Sequence, residues 1–431
     1  MEVFSISILL ISFLLLLSIG TPVAWSIIIS SLFTLFVSVP FLPALTTISQ
    51  RMATGIDSFA LLAIPFFILS GELMNSGGVA HRLVAFAKTL VGFLPGGLAL
   101  INIISAMLMG SVAGSAMASA SAMGSILGPE MEKEGYSKGF SVAINITSAT
   151  TGLVIPPSNI LIVYSLASGG ASIAALFLAG YIPGILTGLF LMIVAMLWAK
   201  KKNFKTGKRE PLKKVLNSFV RAFPSLMLLI VVIGGIVSGV FTATEASAIA
   251  VIYTLVLGFF YKEITLKNLP SILLKSSITT AIVMFLIGAS MSMSWVLSFE
   301  NIPEMISSGI LSLSDNKIVI LLLINLTLLF VGIFMDMTPA VLIFTPIFLP
   351  IVTQLGIDPV HFGIIMILNL CIGLCTPPVG SVLFVGVGVA NTSIQKVIKP
   401  LIPLFLAMIV SLLLVTYIPA LSLWLPSIFD L

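Results

Sequence analysis

The sequence predicts an all-α integral membrane protein: an inverted-topology repeat with about ten transmembrane helices, two re-entrant hairpins and two broken helices. Three observations carry this reading. Of 431 residues, 59% are hydrophobic and 8% charged, against about 25% charged in a soluble domain. Apolar runs near the roughly 20 residues needed to span a bilayer recur along the whole length. The landmarks of the first half return in order 221 or 222 positions later.

The crossing segments, in order, are 3–20, 22–43, 58–75, 139–168, 172–199, 223–240, 243–261, 276–298, 359–390 and 400–424. The first run, Val3–Ile19, lacks a basic leader and a clear small-residue cleavage site, so it reads as a retained span rather than a signal peptide. Two further apolar stretches, 97–129 and 318–351, carry small, polar or proline residues near their centres: GSVAGSAMASASAMGS (110–125) and GIFMDMTPA (332–340). Each is roughly 33 residues long, and two spans with a turn need roughly 40. Both are therefore expected as half-depth re-entrant hairpins, whose irregular backbone must be shielded by protein or water.

Segments 139–168 and 359–390 are broken in their own middle. They read TGLVIPPSN at 151–159 and IGLCTPPVG at 372–380. Adjacent prolines cannot continue a helix, because both lack an N–H and their rings clash with the preceding turn. A mere proline kink would explain one such site. It explains two in register less well, each beside a hairpin rich in Gly and Ser or bearing an Asp.

The register is the repeat itself. TPVAWS (21–26) falls on TATEAS (242–247), Gly110 on Gly332, and Gly152, Pro156 and Pro157 on Gly373, Pro377 and Pro378. The chain thus divides into a first repeat (1–200), a basic linker (201–221) and a second repeat (222–431). The stretch Lys200–Arg221 holds nine basic residues and one acid, which places it in the cytoplasm. Five crossings on either side then put both termini outside and leave only Arg51 and Lys317 there. Five is odd, so the halves point in opposite directions, and an inverted repeat with broken helices is the signature of a secondary transporter.

A helix interrupted at mid-membrane presents unpaired carbonyls at one half's end and unpaired N–H groups at the next half's start. Carbonyls can coordinate a cation, while N–H groups with the dipole favour an anion. Ser158 and Asn159 add donors where an anionic solute would sit. In the second break Thr376 offers a hydroxyl and Val379 only its backbone, so the first break is expected to face the solute more. Intramembrane acids are costly and therefore functional candidates. Asp336, at the expected tip of the second hairpin, is the foremost, with capping of its own turn as the alternative. Glu245 reads as structural, and Glu72 as a solvated or paired residue near a cytoplasmic end.

Other chemistries find little support. Cys371 and Cys375 share a helix face and read as packing residues. His81 and His361 fall at segment ends, with no metal spacing, and are expected to be solvated. No catalytic cluster suggests an enzyme, no resident cofactor is expected, and the distribution of the basic residues argues for a membrane rather than nucleic acid. Half-helix pairs around a midplane site suit alternating access better than a channel.

The hairpin GSVAGSAMASASAMGSILGPEM, the breaks IPPSN and TPPVG, GIFMDMTPA, and LFLAGYIPGIL (176–186) together resemble the large membrane subunit of TRAP (tripartite ATP-independent periplasmic) transporters. The resemblance runs over essentially the whole chain. It implies an elevator-type protein with a scaffold and a moving transport domain, in the bacterial inner membrane, importing an organic acid anion with Na⁺. It also implies two partners, a small four-helix membrane subunit, expected here as a separate chain, and a periplasmic solute-binding protein. A first Na⁺ site would use backbone oxygens around Gly110, Ala113, Gly152, Ile155 and Pro156; a second would use Gly332, Gly373, Thr376 and Val379. Solute contacts would fall on Ser115, Ser119, Ser158, Asn159 and Asp336. The chain departs from the family where it reads Ala113-Gly114-Ser115, often S-G-S, and at Ser119, often Asp. The missing acid leaves room for a hydroxyl-rich solute, and the polar Asn of IPPSN fits a sugar acid such as sialic acid. A stand-alone Na⁺- or H⁺-coupled anion or dicarboxylate transporter of similar fold is the competing reading.

Overall fold

The computed structural model describes residues 2–202, 204, 207, 209–313 and 316–431; Lys205 and Lys208 of the basic stretch lie outside the described residues. Every regular element among the described residues is a helix. Eight helical stretches there are long and apolar enough to cross a membrane.

The chain opens with α1 (Glu2–Ser18), α2 (Val23–Leu35) and α3 (Phe41–Gly55). The second crossing expected at 22–43 is thus shorter than read. Thirteen residues rise only about 20 Å, and Pro40 then starts a separate helix with just Ala44 and Ile48 buried. A 3₁₀ turn (Phe59–Leu62) leads into α4 (Ala63–Ser76) and α5 (Val79–Val91). Helix α5, absent from the sequence reading, buries Val79, Ala80, Leu83 and Ala87. These positions share one stripe at helical spacing, with charge on the other face, and such a pattern is too polar to read as a span.

Next come α6 (Gly97–Ala113) and α7 (Ala116–Lys133), which pack on each other as a hairpin, then α8 (Lys138–Thr151) and α9 (Asn159–Ala167), the two halves of the first broken helix. Helix α10 (Ile173–Lys201) closes the first half. The linker expected at 201–221 is not all linker, because α11 (Leu212–Val237) begins inside it, just after Pro211. It is followed by α12 (Ala243–Phe260), α13 (Leu269–Phe299) and another unforeseen short helix, α14 (Ile302–Leu313). Glu245 has the structural role expected, since it completes a capping box with Thr242 at the start of α12.

The second hairpin is α15 (Lys317–Phe334) and α16 (Met337–Gln354); the second broken helix is α17 (Pro359–Gly373) and α18 (Ser381–Val389). The hairpin arms are 17 and 18 residues in the first case and 18 each in the second. That is about 26 Å of rise, longer than half-depth arms require, so length alone does not set their depth. Helix α19 (Ile394–Tyr417) ends before Pro419, and α20 (Ala420–Ile428) replaces the tail of the crossing expected at 400–424.

The centre of the molecule is where α8 and α17 meet. Every residue from Gly139 to Thr151 and from His361 to Gly373 is buried. Cys371 and Cys375 pack as expected, and against the other half of the chain: the Cys371 thiol donates to the Thr150 carbonyl at 3.0 Å, and Cys375 Sγ lies 3.2 Å from Thr150 Oγ1. His361 corrects the sequence reading. It is not solvated but buried, with Nδ1 2.6 Å from Ser422 Oγ. The reason is α20, which folds back over α17. His81 is exposed, as expected.

Candidate solute and cation site

At the first break the ladder of α8 tightens before it stops. Leu153 N–H donates to Thr150 O and Ile155 N–H to Gly152 O, i→i+3 turns rather than α-helical ones. Pro156 and Pro157 offer no N–H, Ser158 is extended, and α9 restarts at Asn159. The second break follows the same course. Cys375 N–H reaches Ile372 O, Thr376 N–H reaches Gly373 O at 2.9 Å, and α18 restarts after Gly380. The proline pair is cis in both.

Each hairpin presses its first arm against a break. A Cβ built on Gly152 would stand 2.8 Å from Met107 O and 2.9 Å from Gly110 Cα. A Cβ built on Gly373 would stand 2.6 Å from Gly332 Cα. Both contacts are with backbone, which cannot swing aside. Four of the nine residues implied as Na⁺ ligands are thereby brought together in two pairs. Ala113 lies one turn beyond Gly110 with its carbonyl toward α4, since a Cβ on Gly71 would meet Ala113 O at 2.6 Å. Ile155 and Pro156 pack on α10, opposite Gly184 and Gly180. The Thr376 hydroxyl donates to Ile372 O at 2.7 Å, and the Val379 side chain is exposed.

Between the hairpin tips lies a cavity of about 280 Å³. Its walls come from Ser115 at the first tip, Asp336 and Thr338 at the second, and Asn159 and Ser381 at the two restarts. Helices α4 and α13 close it with Glu72 and Thr279. Three of the five residues expected at the solute therefore meet. Ser115 also caps α7, accepting from Ala118 N–H at 3.2 Å. Asn159 reaches the first tip, because a Cβ on Gly114 would stand 2.9 Å from its Nδ2. Gly114 has φ +60, a second reason for glycine there. Asp336 occupies the N-cap position of α16 without making a side-chain cap bond.

Ser119 and Ser158 do not line the cavity. The Ser119 hydroxyl donates to Ala106 O at 2.8 Å and ties α7 to α6. Ser158 is buried with no hydrogen-bond partner for its Oγ among the described residues. Four polar wall residues were missed as such: Thr338, Ser381, Thr279 and Glu72. Ser381 had a signal, a hydroxyl at the restart position beside TPPVG. Glu72 is paired, with Lys275 Nζ 2.7 Å from its Oε2.

An all-helical membrane protein whose interrupted helices and hairpin tips converge on one small cavity has the make-up of a transporter. The fold agrees. The solved structure of the Alcanivorax borkumensis YdaH transporter superposes with TM-score 0.63 over 90% of each chain, at 14% identity. Residues 10–421 match the family "Tripartite ATP-independent periplasmic transporter, DctM component", and the chain belongs to it. It is a multi-pass inner-membrane protein of that family. An uncharacterized protein of Salmonella typhimurium, YgiK, is 56% identical over 99% of this chain and 98% of its own length. The isethionate TRAP transporter permease protein DctMQ of Oleidesulfovibrio alaskensis is 40% identical over 96% of this chain, which spans 65% of that longer protein. The sialic acid TRAP transporter large permease protein SiaM of Vibrio cholerae is 38% identical over 96% of both.

Proposed function

We propose that this chain is the large membrane subunit of a TRAP system that imports an organic acid anion together with Na⁺. The observation that carries the reading is the cavity whose walls come from both hairpin tips and both helix restarts. Restarts supply N–H groups and positive dipole ends for an anion. The paired glycine contacts bring hairpin backbone against the helix ends, where carbonyls can take up a cation. Among the described residues no cluster of three His, Cys, Asp or Glu could hold a metal ion, so a Na⁺ site here would be built of backbone and hydroxyl oxygens.

The finer architecture follows in the same reading. Ten crossings form two inverted repeats, 1–200 and 222–431, with the 201–221 region cytoplasmic and both termini periplasmic. Tips that share a cavity with the breaks support re-entrant hairpins despite the length of their arms. The hairpins pack on the broken helices and form the transport domain. Helices α1–α4 and α11–α13 form the scaffold past which it moves as an elevator. The partners are a small membrane subunit and a periplasmic solute-binding protein. The cavity's Ser115, Asn159, Thr338 and Ser381 suit a hydroxyl-rich anion such as sialic acid. Relatives of nearly equal identity carry the names of isethionate and sialic acid, so overall similarity does not choose the solute.

The test is uptake of sialic acid, isethionate and a C4-dicarboxylate into proteoliposomes, with and without a Na⁺ gradient, small subunit and binding protein. Uptake of one of these that needs all three additions is expected. Uptake that needs neither companion protein would favour a stand-alone anion transporter, and uptake indifferent to Na⁺ would remove the coupling.

A further inference from the structure

The solute cavity is lined by two carboxylates, Glu72 and Asp336, and by no lysine or arginine among the described residues. For an anion that is an adverse field, since like charges in a low-dielectric site repel strongly. Lys275 answers one of the two. It projects from α13, and its Nζ lies 2.7 Å from Glu72 Oε2. The Glu72 side chain is 17% exposed and that of Lys275 61%. An ion pair with one partner so open adds little to stability, so the fold does not account for it.

Its position does. Along α4, Ile68 and Glu72 wall the solute cavity, while Asn75 and Ser76, on the next turn, wall a second cavity of about 1220 Å³. Helix α7 runs the same way, with Met117 on the first cavity and Ser125 on the second. The larger space is bordered by Arg82, Lys88, Lys214 and Arg221 against Glu210 and Glu263. Lys214 pairs with Glu210 and Arg82 with Glu263, which leaves a basic surplus. Glu72 thus walls the small acid-bearing cavity one turn of α4 away from residues that wall the large basic one, and Lys275 pairs with it there.

We propose that Lys275 is a specificity-determining residue: by masking Glu72 it lets an anion pass between the solute cavity and the basic vestibule. The inference rests on the organic-anion reading above. Without Lys275 the bare Glu72 carboxylate repels the solute, and the larger cavity's surplus charge is cut off from the site.

The test measures uptake KM and Vmax at saturating Na⁺, with the small subunit and binding protein present, for sialic acid, isethionate and succinate. Lys275→Gln should raise KM on the order of tenfold with a smaller change in Vmax, and Lys275→Arg should stay near wild type. Glu72→Gln alone should lower KM, because the Lys275 charge is then unopposed, and Glu72→Gln with Lys275→Gln should return it to within about threefold of wild type. The Lys275→Gln penalty should also shrink as choline chloride rises, since salt screens partly exposed charge; a packing defect would not respond. A Lys275→Gln KM within twofold of wild type, a double variant no better than the single, or a Glu72→Gln KM at or above wild type would overturn the inference. Should Lys275→Gln not insert, the Glu72→Gln arm still decides. A wild type that takes up none of the three anions defeats the anion reading, and this inference with it.

Discussion

Gly332 and Gly373 touch through their backbones: a Cβ on Gly373 would come within 2.6 Å of Gly332 Cα and 2.8 Å of its carbonyl oxygen. Gly110 and Gly152 make the matching contact in the first half. A side chain at either place must push two helices apart, and overpacking of this kind costs about 1–3 kcal/mol.

Gly152→Val and Gly373→Val should therefore still insert but respond poorly to Na⁺. The expected outcome is a Na⁺ activation midpoint for uptake raised about tenfold, with a fall in thermal stability of the purified protein that added Na⁺ no longer reverses. Val at half-buried Gly128, where nothing lies within 4 Å of an added Cβ, should leave the midpoint alone. Wild-type Na⁺ activation in both site variants would remove these glycines from the cation sites.

Asn159→Ala should weaken uptake at low solute concentration. A lost hydrogen bond to a charged group costs about 1.5–3 kcal/mol, so KM should rise ten- to a hundredfold with expression unchanged. Val379→Ala should do little, because that residue does not line the cavity and is exposed. The reverse ranking would put the solute on the second break.

Ser119→Ala should separate structure from solute. Its hydroxyl is spent on Ala106 O inside the hairpin, so the change should cost about 1 kcal/mol of stability and leave KM within twofold. Ser115→Ala should instead raise KM, with a modest loss of the α7 cap. Equal KM shifts in both would return Ser119 to the solute.

Topology can be read by labelling. In a Cys371→Ala, Cys375→Ala background, a cysteine at exposed Lys202 and another at exposed Asp430 should react with an impermeant maleimide from opposite sides of the membrane. Reaction from one side only would rule out the inverted repeat.

How far the sequence could be read depended on how local each feature is. Most of the long apolar helices were legible because a bilayer demands about 20 apolar residues in a row, and the breaks because Pro156–Pro157 and Pro377–Pro378 leave no helical alternative. Helices α3, α5 and α14 were missed because half-polar segments against a membrane protein look like connections. Asn159 and Asp336 line the cavity because each sits at a restart or tip that proline and glycine announce. Ser119 looked identical in kind, but its bond to Ala106 depends on how two arms pack. Glu72 as a cavity wall depends on α4 meeting α13, and His361 as a core residue on α20 folding back. No local pattern carries those meetings.

The contact of Thr150 with both cysteines has a mechanical consequence. It ties the two interrupted helices at their crossing, near the end of the α8 ladder and across the end of the α17 ladder. A shift of one helix end is thereby coupled to the other. Loading one end must then be felt at the other. Sodium should titrate this protein in a single steep step, and loosening the tie with Thr150→Val and Cys371→Ala should flatten that curve toward two independent ones.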